Sequence, residues 1–292
     1  MHTVRTPFIN HPVPRPGTVE KMRLIHDPQQ AYYIFVPNTG GKNRSVFISV
    51  HGVRRRAKDH ANEFAGFAER HGVVLVAPLF PKNRFSDYQR LGKSRKSARS
   101  DLALKRILEE VAFLTNANTE ELFMFGYSGG GQFVHRYAMA HPKQVKRIVV
   151  AAPGWYTFPD YKAGYPKGIG NVRGLGRVTL DPARFLSIPA CVMVGDRDTR
   201  RDAEFNRSPQ VDRQQGANRL ERGRNWIKAM KDAARFRGMD TEFIFRILPG
   251  SNHSFLNCMK KNQMGEQVFQ FLFSSHGFCF SRDGEKCYSR PN

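Results

Sequence analysis

The sequence lacks the features that mark several common classes of protein. Its 292 residues include four cysteines, Cys191, Cys258, Cys279 and Cys287, none of which forms a C-x-x-C pair typical of zinc ribbons and thioredoxin-type sites. No H-E-x-x-H sequence is present, and no apolar run approaches the length of a membrane-spanning helix. We therefore expect no metal, no other cofactor and no membrane span. Cys279 and Cys287 are close enough in sequence to pair in an oxidising compartment, but free thiols are the favoured expectation.

Acidic residues are also scarce. There are 25 Asp and Glu against 47 Lys and Arg, which gives a formal net charge of +22. A charge of this size attracts polyanions and anionic surfaces. No helix-turn-helix, zinc-finger or RNA-binding signature accompanies it, so we expect no specific nucleic-acid partner. A basic binding protein without catalytic activity remains one alternative interpretation.

The N-terminal residues lack the apolar core of a signal peptide, which predicts a cytoplasmic protein. A secreted protein whose signal peptide had been removed would show the same pattern. Hydrophobic residues make up 40% of the chain, enough for a substantial core. We predict a single domain over residues 1–292, with an extended N-terminal arm over residues 1–30.

Short apolar runs alternate with helical patterns along the chain. Runs that are apolar throughout are typical of strands covered on both faces. Such runs occupy residues 31–36, 45–50, 73–77, 122–127, 148–152 and 190–194, and a further strand is predicted over 241–247. The alternation predicts an α/β fold with a mostly parallel central sheet and helices on both faces. Residues 153–188 show no period and predict an irregular insertion or small lid after the sixth strand.

Ser128 is the candidate nucleophile. It lies in the pattern G-x-S-x-G formed by residues 126–130, between a predicted strand and a predicted helix. A serine hydroxyl needs a base to accept its proton, and a sharp strand-to-helix turn presents it to both base and substrate. The flanking strand and helix therefore predict nucleophilic catalysis.

The base and the acid follow from chain order. In proteins that place a nucleophilic serine on such a turn, an acid and then a histidine follow it along the chain. His253 and His276 satisfy this order, and His253 is favoured because it directly follows a predicted strand. Asp196 and Asp198 both follow the strand ending at Gly195. Asp198 is favoured, because three residues allow the chain to turn its carboxylate back toward the histidine.

The oxyanion that forms during attack on an ester requires backbone N–H donors. Gly129 directly follows the nucleophile and is expected to provide one of them. Val53 is expected to provide the second, because it follows the strand over 45–50 and the His51-Gly52 pair. His51 is interpreted as a structural residue of this loop.

Together these residues resemble the α/β-hydrolase superfamily, within it the polyhydroxyalkanoate depolymerase-like and feruloyl-esterase-like branch. The similarity extends from about Tyr32 to Phe273 and includes His51-Gly52, the segment Glu69 to Pro78, the turn at 126–130 and the late Asp and His. The resemblance implies an α/β-hydrolase fold with eight strands, a Ser-His-Asp triad and cofactor-independent hydrolysis of carboxylic esters. Some depolymerases have a cysteine where this chain has Val53, and no polymer-binding module is visible, so a small soluble ester is expected.

Basic and aromatic residues are predicted to surround the site. Arg54 and Arg55 follow the oxyanion strand, and further cations crowd residues 82–99. Such a rim would favour an anionic ester, because a guanidinium group can bind a carboxylate or phosphate through two parallel hydrogen bonds. Trp155 and Tyr156 are candidates for an aromatic wall, with a role in the core as the alternative. A polyester depolymerase, an amidase or a peptidase on the same scaffold are the other catalytic alternatives.

Overall fold

A computed structural model describes residues 12–94, 96–176 and 178–273. Its centre is one eight-stranded sheet with the order β1-β2-β4-β3-β5-β6-β7-β8. The strands are β1 (Val19–Leu24), β2 (Asp27–Phe35), β3 (Ser45–Val50), β4 (Val74–Pro78), β5 (Asn118–Tyr127), β6 (Val145–Ala151), β7 (Ala190–Gly195) and β8 (Phe243–Leu248). The pairings β1–β2 and β2–β4 are antiparallel, and all the others are parallel. The predicted α/β-hydrolase fold with a mostly parallel sheet is confirmed.

Helices cover both faces of the sheet. They are α1 (Ala57–His71), α2 (Ser100–Thr115), α3 (Gly129–Ala140), α4 (Pro182–Phe185), α5 (Pro209–Gln215), α6 (Arg219–Arg235), α7 (Phe255–Asn262) and α8 (Met264–Phe273). Along β3, Val46 and Ile48 pack in the core with α2, α3 and α6, while Phe47 packs with α1 and α8. The strand is buried on both faces, which explains why it carries apolar residues on both of them.

The N-terminal region differs from the prediction. The expected extended arm is wrong for residues 19–30, because β1 and the start of β2 form an antiparallel hairpin at the edge of the sheet. Met22 and Leu24 are buried, whereas the residues between and before them carry charge. An edge strand needs only a partial apolar face, so its sequence pattern is weak. Residues 1–11 lie outside the described residues.

The insertion over residues 153–188 follows β6, as predicted. Its aromatic side chains Tyr156, Phe158 and Tyr165 are buried in the core on the α3 and α6 side of the sheet. Tyr156 stacks on Trp226 of α6 with ring centroids 5.1 Å apart, and the Trp226 indole N–H donates to the Thr157 carbonyl. The segment is irregular in backbone but packed like the rest of the core.

Candidate active site

Ser128 occupies a strained turn between β5 and α3. Its backbone has φ 55° and ψ −115°, a combination that residues with side chains seldom adopt. The turn brings backbones so close that a Cβ on Gly126 would lie 2.2 Å from the Gly130 oxygen. A Cβ on Gly130 would lie 2.0 Å from the Val50 oxygen. Both glycines are therefore steric requirements of the turn that presents Ser128.

Three side chains from three loops meet at the carboxyl edge of the sheet. Ser128 Oγ lies 3.0 Å from His253 Nε2, and His253 Nδ1 lies 2.7 Å from Asp198 Oδ2. An ionised carboxylate only accepts hydrogen bonds, so Nδ1 carries the proton and Nε2 is left to accept from the serine hydroxyl. Ser128, His253 and Asp198 thus form one continuous hydrogen-bonded chain.

The loops that hold the acid and the base contact each other directly. Arg197 N–H donates to the Ser251 carbonyl at 3.0 Å, and Asp198 N–H donates to the Gly195 carbonyl, closing a tight turn. This turn directs Asp198 inward, where it is 2% exposed, while Asp196 remains exposed. The structure therefore brings Asp198 to the histidine, as expected from the spacing. The competing His276 lies outside the described residues.

Two backbone amides lie beside the serine where oxyanion donors were predicted. Gly129 is the first residue of α3, and the N–H groups of a first helical turn have no partner within the helix. A Cβ on Gly129 would lie 2.9 Å from Val53 Cγ1, so the two residues are neighbours. Within the described ranges, neither Gly129 N–H nor Val53 N–H donates to another backbone group. The backbone hydrogen bonding of the described residues therefore leaves both amides unused.

His51 supports this loop and does not contact the serine. Its Nδ1 donates to the Gly52 carbonyl at 2.8 Å, and its Nε2 accepts from Phe80 N–H at 3.1 Å. The two contacts define one neutral tautomer. Complete burial lowers the pKa of His51 to about 4, despite the opposing effect of the Gly52 carbonyl. The structural role predicted for His51 agrees with these contacts.

A cavity of about 360 Å³ opens at Ser128. Its walls come from the loop after β3, the start of α1, the loop after β7 and the start of α7. The lining residues are Gly52, Val53, Arg54, Arg56, Asp59, His60, Tyr127, Ser128, Asp202, Ala203, Glu204, His253, Ser254, Phe255 and Leu256. This volume suits a small ester group or one end of a longer chain.

The predicted rim is only partly correct. Arg54 lines the cavity, but Arg55 instead donates to the carbonyls of Phe80 and Phe85 and lies over the Tyr88 ring at 4.2 Å. The Arg55 guanidinium therefore helps to hold the loop together and is not available to a substrate.

The aromatic wall predicted from Trp155 and Tyr156 is wrong. Neither residue lines the cavity, and no described residue of 153–188 does so. Tyr156 is fully buried against Trp226, and Trp155 lies under the Arg136 guanidinium at 4.5 Å. Aromatic residues in an irregular segment look alike in sequence whether they cover a pocket or fill a core.

Much of the basic segment over residues 82–99 is paired within the protein. Arg84 bonds Asp27, Arg90 bonds Asp87, and Arg99 bonds Asp101. At the cavity itself, Arg56 pairs with Asp59 at 2.7 Å. The expected strongly basic rim is reduced to Arg54, opposed by the acidic Asp202 and Glu204.

Sequence reasoning missed the acidic and apolar residues of the cavity and the arginine that contacts Asp198. Arg219 of α6 lies 3.2 Å from Asp198 Oδ1, and both side chains are 1% exposed. One signal existed in the sequence: Arg219 and Arg222 precede Trp226 by seven and four residues. This spacing places both arginines on the apolar face of the helix.

Metal sites and membrane-spanning helices are not found among the described residues. Within residues 12–94, 96–176 and 178–273, no group of three or more His, Cys, Asp or Glu side chains is arranged to hold a metal ion. In the same ranges, no helix has the length and apolar character needed to cross a membrane.

No family model matches the sequence. A curated relative, a probable acetylxylan esterase A from Aspergillus clavatus, is 22% identical over 144 residues. The match covers 47% of this chain and 47% of the relative, so the chain spans about half the length of the curated protein it matches.

Solved structures share the fold over most of the chain. A poly(3-hydroxybutyrate) depolymerase from Bordetella parapertussis is 26% identical with a TM-score of 0.69, covering 82% of this chain and 83% of its own. A poly(aspartic acid) hydrolase from Sphingomonas sp. KT-1 is 21% identical with the same TM-score, covering 82% and 93%. A ferulic acid esterase is 14% identical with a TM-score of 0.51, covering 86% and 97%. The resemblance to depolymerase-like α/β-hydrolases is confirmed, and it supports the prediction of a carboxylic ester hydrolase. The ferulic acid esterase shows the shared fold.

Proposed function

We propose that this protein hydrolyses carboxylic esters, with Ser128 as nucleophile, His253 as general base and Asp198 as the acid that orients it. The observation that carries the proposal is the hydrogen-bonded chain of 3.0 Å and 2.7 Å that ends at the cavity. The likeness to a polyester depolymerase over four fifths of the chain supports the same chemistry.

The geometry supports a two-step reaction. Ser128 Oγ attacks the ester carbonyl while His253 Nε2 accepts its proton, and the N–H groups of Val53 and Gly129 stabilise the oxyanion. The tetrahedral intermediate collapses, the proton passes from His253 to the leaving alcohol, and an acyl-enzyme remains on Ser128. Water, deprotonated by His253, then attacks the acyl-enzyme; the bond between the acyl carbon and Ser128 Oγ breaks, His253 returns the proton to Oγ, and the carboxylic acid leaves.

The substrate class follows from the size of the cavity. A volume of about 360 Å³ suits a short soluble ester or the terminal unit of an oligomer. The second candidate is cleavage of a polyester, favoured by the depolymerase whose structure this chain shares at 26% identity. Suspended polyester and soluble oligomers of the same hydroxy acid distinguish the two candidates.

The test is hydrolysis of chromogenic esters with acyl chains of two to eight carbons. Ser128→Ala and His253→Ala should lower kcat by about a thousandfold or more, and Asp198→Asn by a similar factor. Ser187→Ala is the control, because Ser187 is an exposed serine outside the cavity. Activity of Ser128→Ala above a tenth of wild type would refute the proposal, and equal rates on amides would favour an amidase.

A further inference from the structure

Two arginines of α6 are buried behind the loop that follows β7 and carries Asp198. Arg219 and Arg222 are 1% and 0% exposed, although arginine is seldom fully buried without a partner. Arg219 is the first residue of α6, where the helix dipole disfavours a positive charge. Helix formation therefore does not explain why a cation stands at this position, and its contacts must.

The Arg219 guanidinium joins three groups of the loop that follows β7. One nitrogen lies 3.2 Å from Asp198 Oδ1 and 3.1 Å from the Arg200 carbonyl, and the other lies 2.8 Å from Asp202 Oδ2. The two carboxylate oxygens of Asp198 thus accept hydrogen bonds from different partners, Oδ2 from His253 and Oδ1 from Arg219.

From these contacts we infer that Arg219 is a positioning residue of the active site, which acts through Asp198. The inference rests on the proposed function, since it assigns a role to the partner of the catalytic acid. Held at both oxygens, the carboxylate cannot rotate away from His253. Its negative charge is also partly offset by the guanidinium, and this limits how strongly it stabilises a protonated His253.

Other groups around Asp198 do not titrate in the working range. Tyr127 and Tyr156 face it from the β5 and insertion sides, and burial raises the pKa of both phenols well above the ordinary value. Burial also raises the pKa of the Cys258 thiol on the α7 side. Among the described residues, the charged groups that contact Asp198 or its arginine partner directly are His253, Arg219 and Asp202.

Removal of the Arg219 charge should therefore favour the protonated form of His253. In the pH profile of kcat/KM, the acid limb is the part where activity falls as the pH decreases. In Arg219→Met this limb should move to higher pH by about half to one unit. The kcat at the plateau should fall about tenfold with little change in KM, because the carboxylate loses its second anchor. Arg219→Lys retains the charge and should leave the acid limb near its wild-type position.

Arg222 provides the control on the same helix. It is equally buried and holds the Gly154 and Asn206 carbonyls and Asp212, but it makes no contact with Asp198. Arg222→Met should lower the free energy of unfolding and leave the acid limb unmoved. A limb that shifts equally in both variants, or in neither, would overturn the inference.

Two further measurements keep the test decisive. If Arg219→Met does not fold, Arg219→Gln serves, because its polar amide is better tolerated at a buried polar site while the positive charge is lost, and it should likewise move the acid limb to higher pH. The Nδ1 proton of His253, assigned by its loss in His253→Ala, reports the titration by NMR without any substrate. An inactive wild type would refute the proposed function, whereas an unchanged NMR titration in Arg219→Met would refute the role of Arg219.

Discussion

Arg54 and Glu204 are the two charged side chains of the cavity that form no ion pair with any described residue. Both are exposed, so each acts on a bound substrate through a screened interaction worth a few tenths to one kcal/mol. They carry opposite charges and lie on different loops. The cavity is therefore better suited to discriminate the position of a charge than to select anions as a class.

Matched neutral and anionic esters test this view of the cavity. Arg54→Gln should lower the ratio of kcat/KM for the anionic ester to that for the neutral ester by about two- to fivefold at low salt. Glu204→Gln should raise the same ratio by a similar factor, and both effects should shrink in salt. Lys58→Gln, which removes an exposed charge outside the cavity, is the control. A ratio unchanged in Arg54→Gln would exclude a role for that guanidinium.

Individual site residues differ in how far sequence alone reveals them. Ser128, His253 and Asp198 were predictable because a strained turn requires glycines nearby and because parallel strands bring their following loops to one edge. Arg219 was not, since its contact with Asp198 depends on how the start of α6 packs under a loop. Arg55 and Tyr156 were wrongly predicted to line the cavity, because the charge or aromatic character of a residue does not show which way its side chain points.

At the scale of elements, α5 anchors the insertion that follows β6. The Gln215 amide donates to the Tyr156 carbonyl at 2.9 Å and accepts from Tyr156 N–H at 2.8 Å, and its side chain is fully buried. One side chain thus satisfies both backbone groups of an irregular segment, as a neighbouring strand would.

Gln215→Leu should lower the free energy of unfolding by about 2–4 kcal/mol, because it leaves two buried backbone groups without partners. The kcat/KM of the folded variant should stay within about threefold of wild type, since the insertion does not line the cavity. Urea denaturation and ester hydrolysis measure the two effects. Gln210→Leu, on the exposed part of α5, should change stability by less than about 0.5 kcal/mol. A stable Gln215→Leu protein would show that water replaces the amide.

Secondary-structure elements were predictable from the sequence where both of their faces are buried. The strands β3 to β7 each contain a run of buried apolar residues because helices cover both faces of the sheet, and these runs stand out in the sequence. The strand β1 lies at the edge of the sheet and has three charged and three apolar residues in its six positions. The helices α4, α5 and α7 are too short to display a clear period.

At the scale of the whole molecule, three buried neutral histidines make stability depend on pH. Burial lowers the pKa of His51 to about 4 and holds those of His60 and His135 well below the ordinary value. In the unfolded chain each histidine takes up a proton near pH 6.5, whereas in the folded protein it does not. The unfolded state therefore binds more protons, and stability falls as the pH drops below about 6.5.

Each of these histidines should contribute a loss of about 1.4 kcal/mol per pH unit between about pH 6 and pH 4.5. Urea unfolding at several pH values measures the slope. His135→Gln is the informative variant, because its amide oxygen can still accept from Thr157 N–H while the titrating ring is gone. In this range the free energy of unfolding of the variant should fall less steeply with decreasing pH than that of wild type. The difference in slope should equal the contribution of one histidine. A slope equal to that of wild type would contradict the assignment.

The chain positions of the site residues also bear on how the molecule assembles. Ser128 follows β5 and His253 follows β8, so 125 residues separate two side chains that touch. They meet only when β6, β7 and β8 have been added in order to the same side of β5. Contacts so distant in sequence form late in folding, because the closing of long loops is entropically costly. Recovery of activity during refolding therefore reports the completion of the sheet, later than the return of helical content.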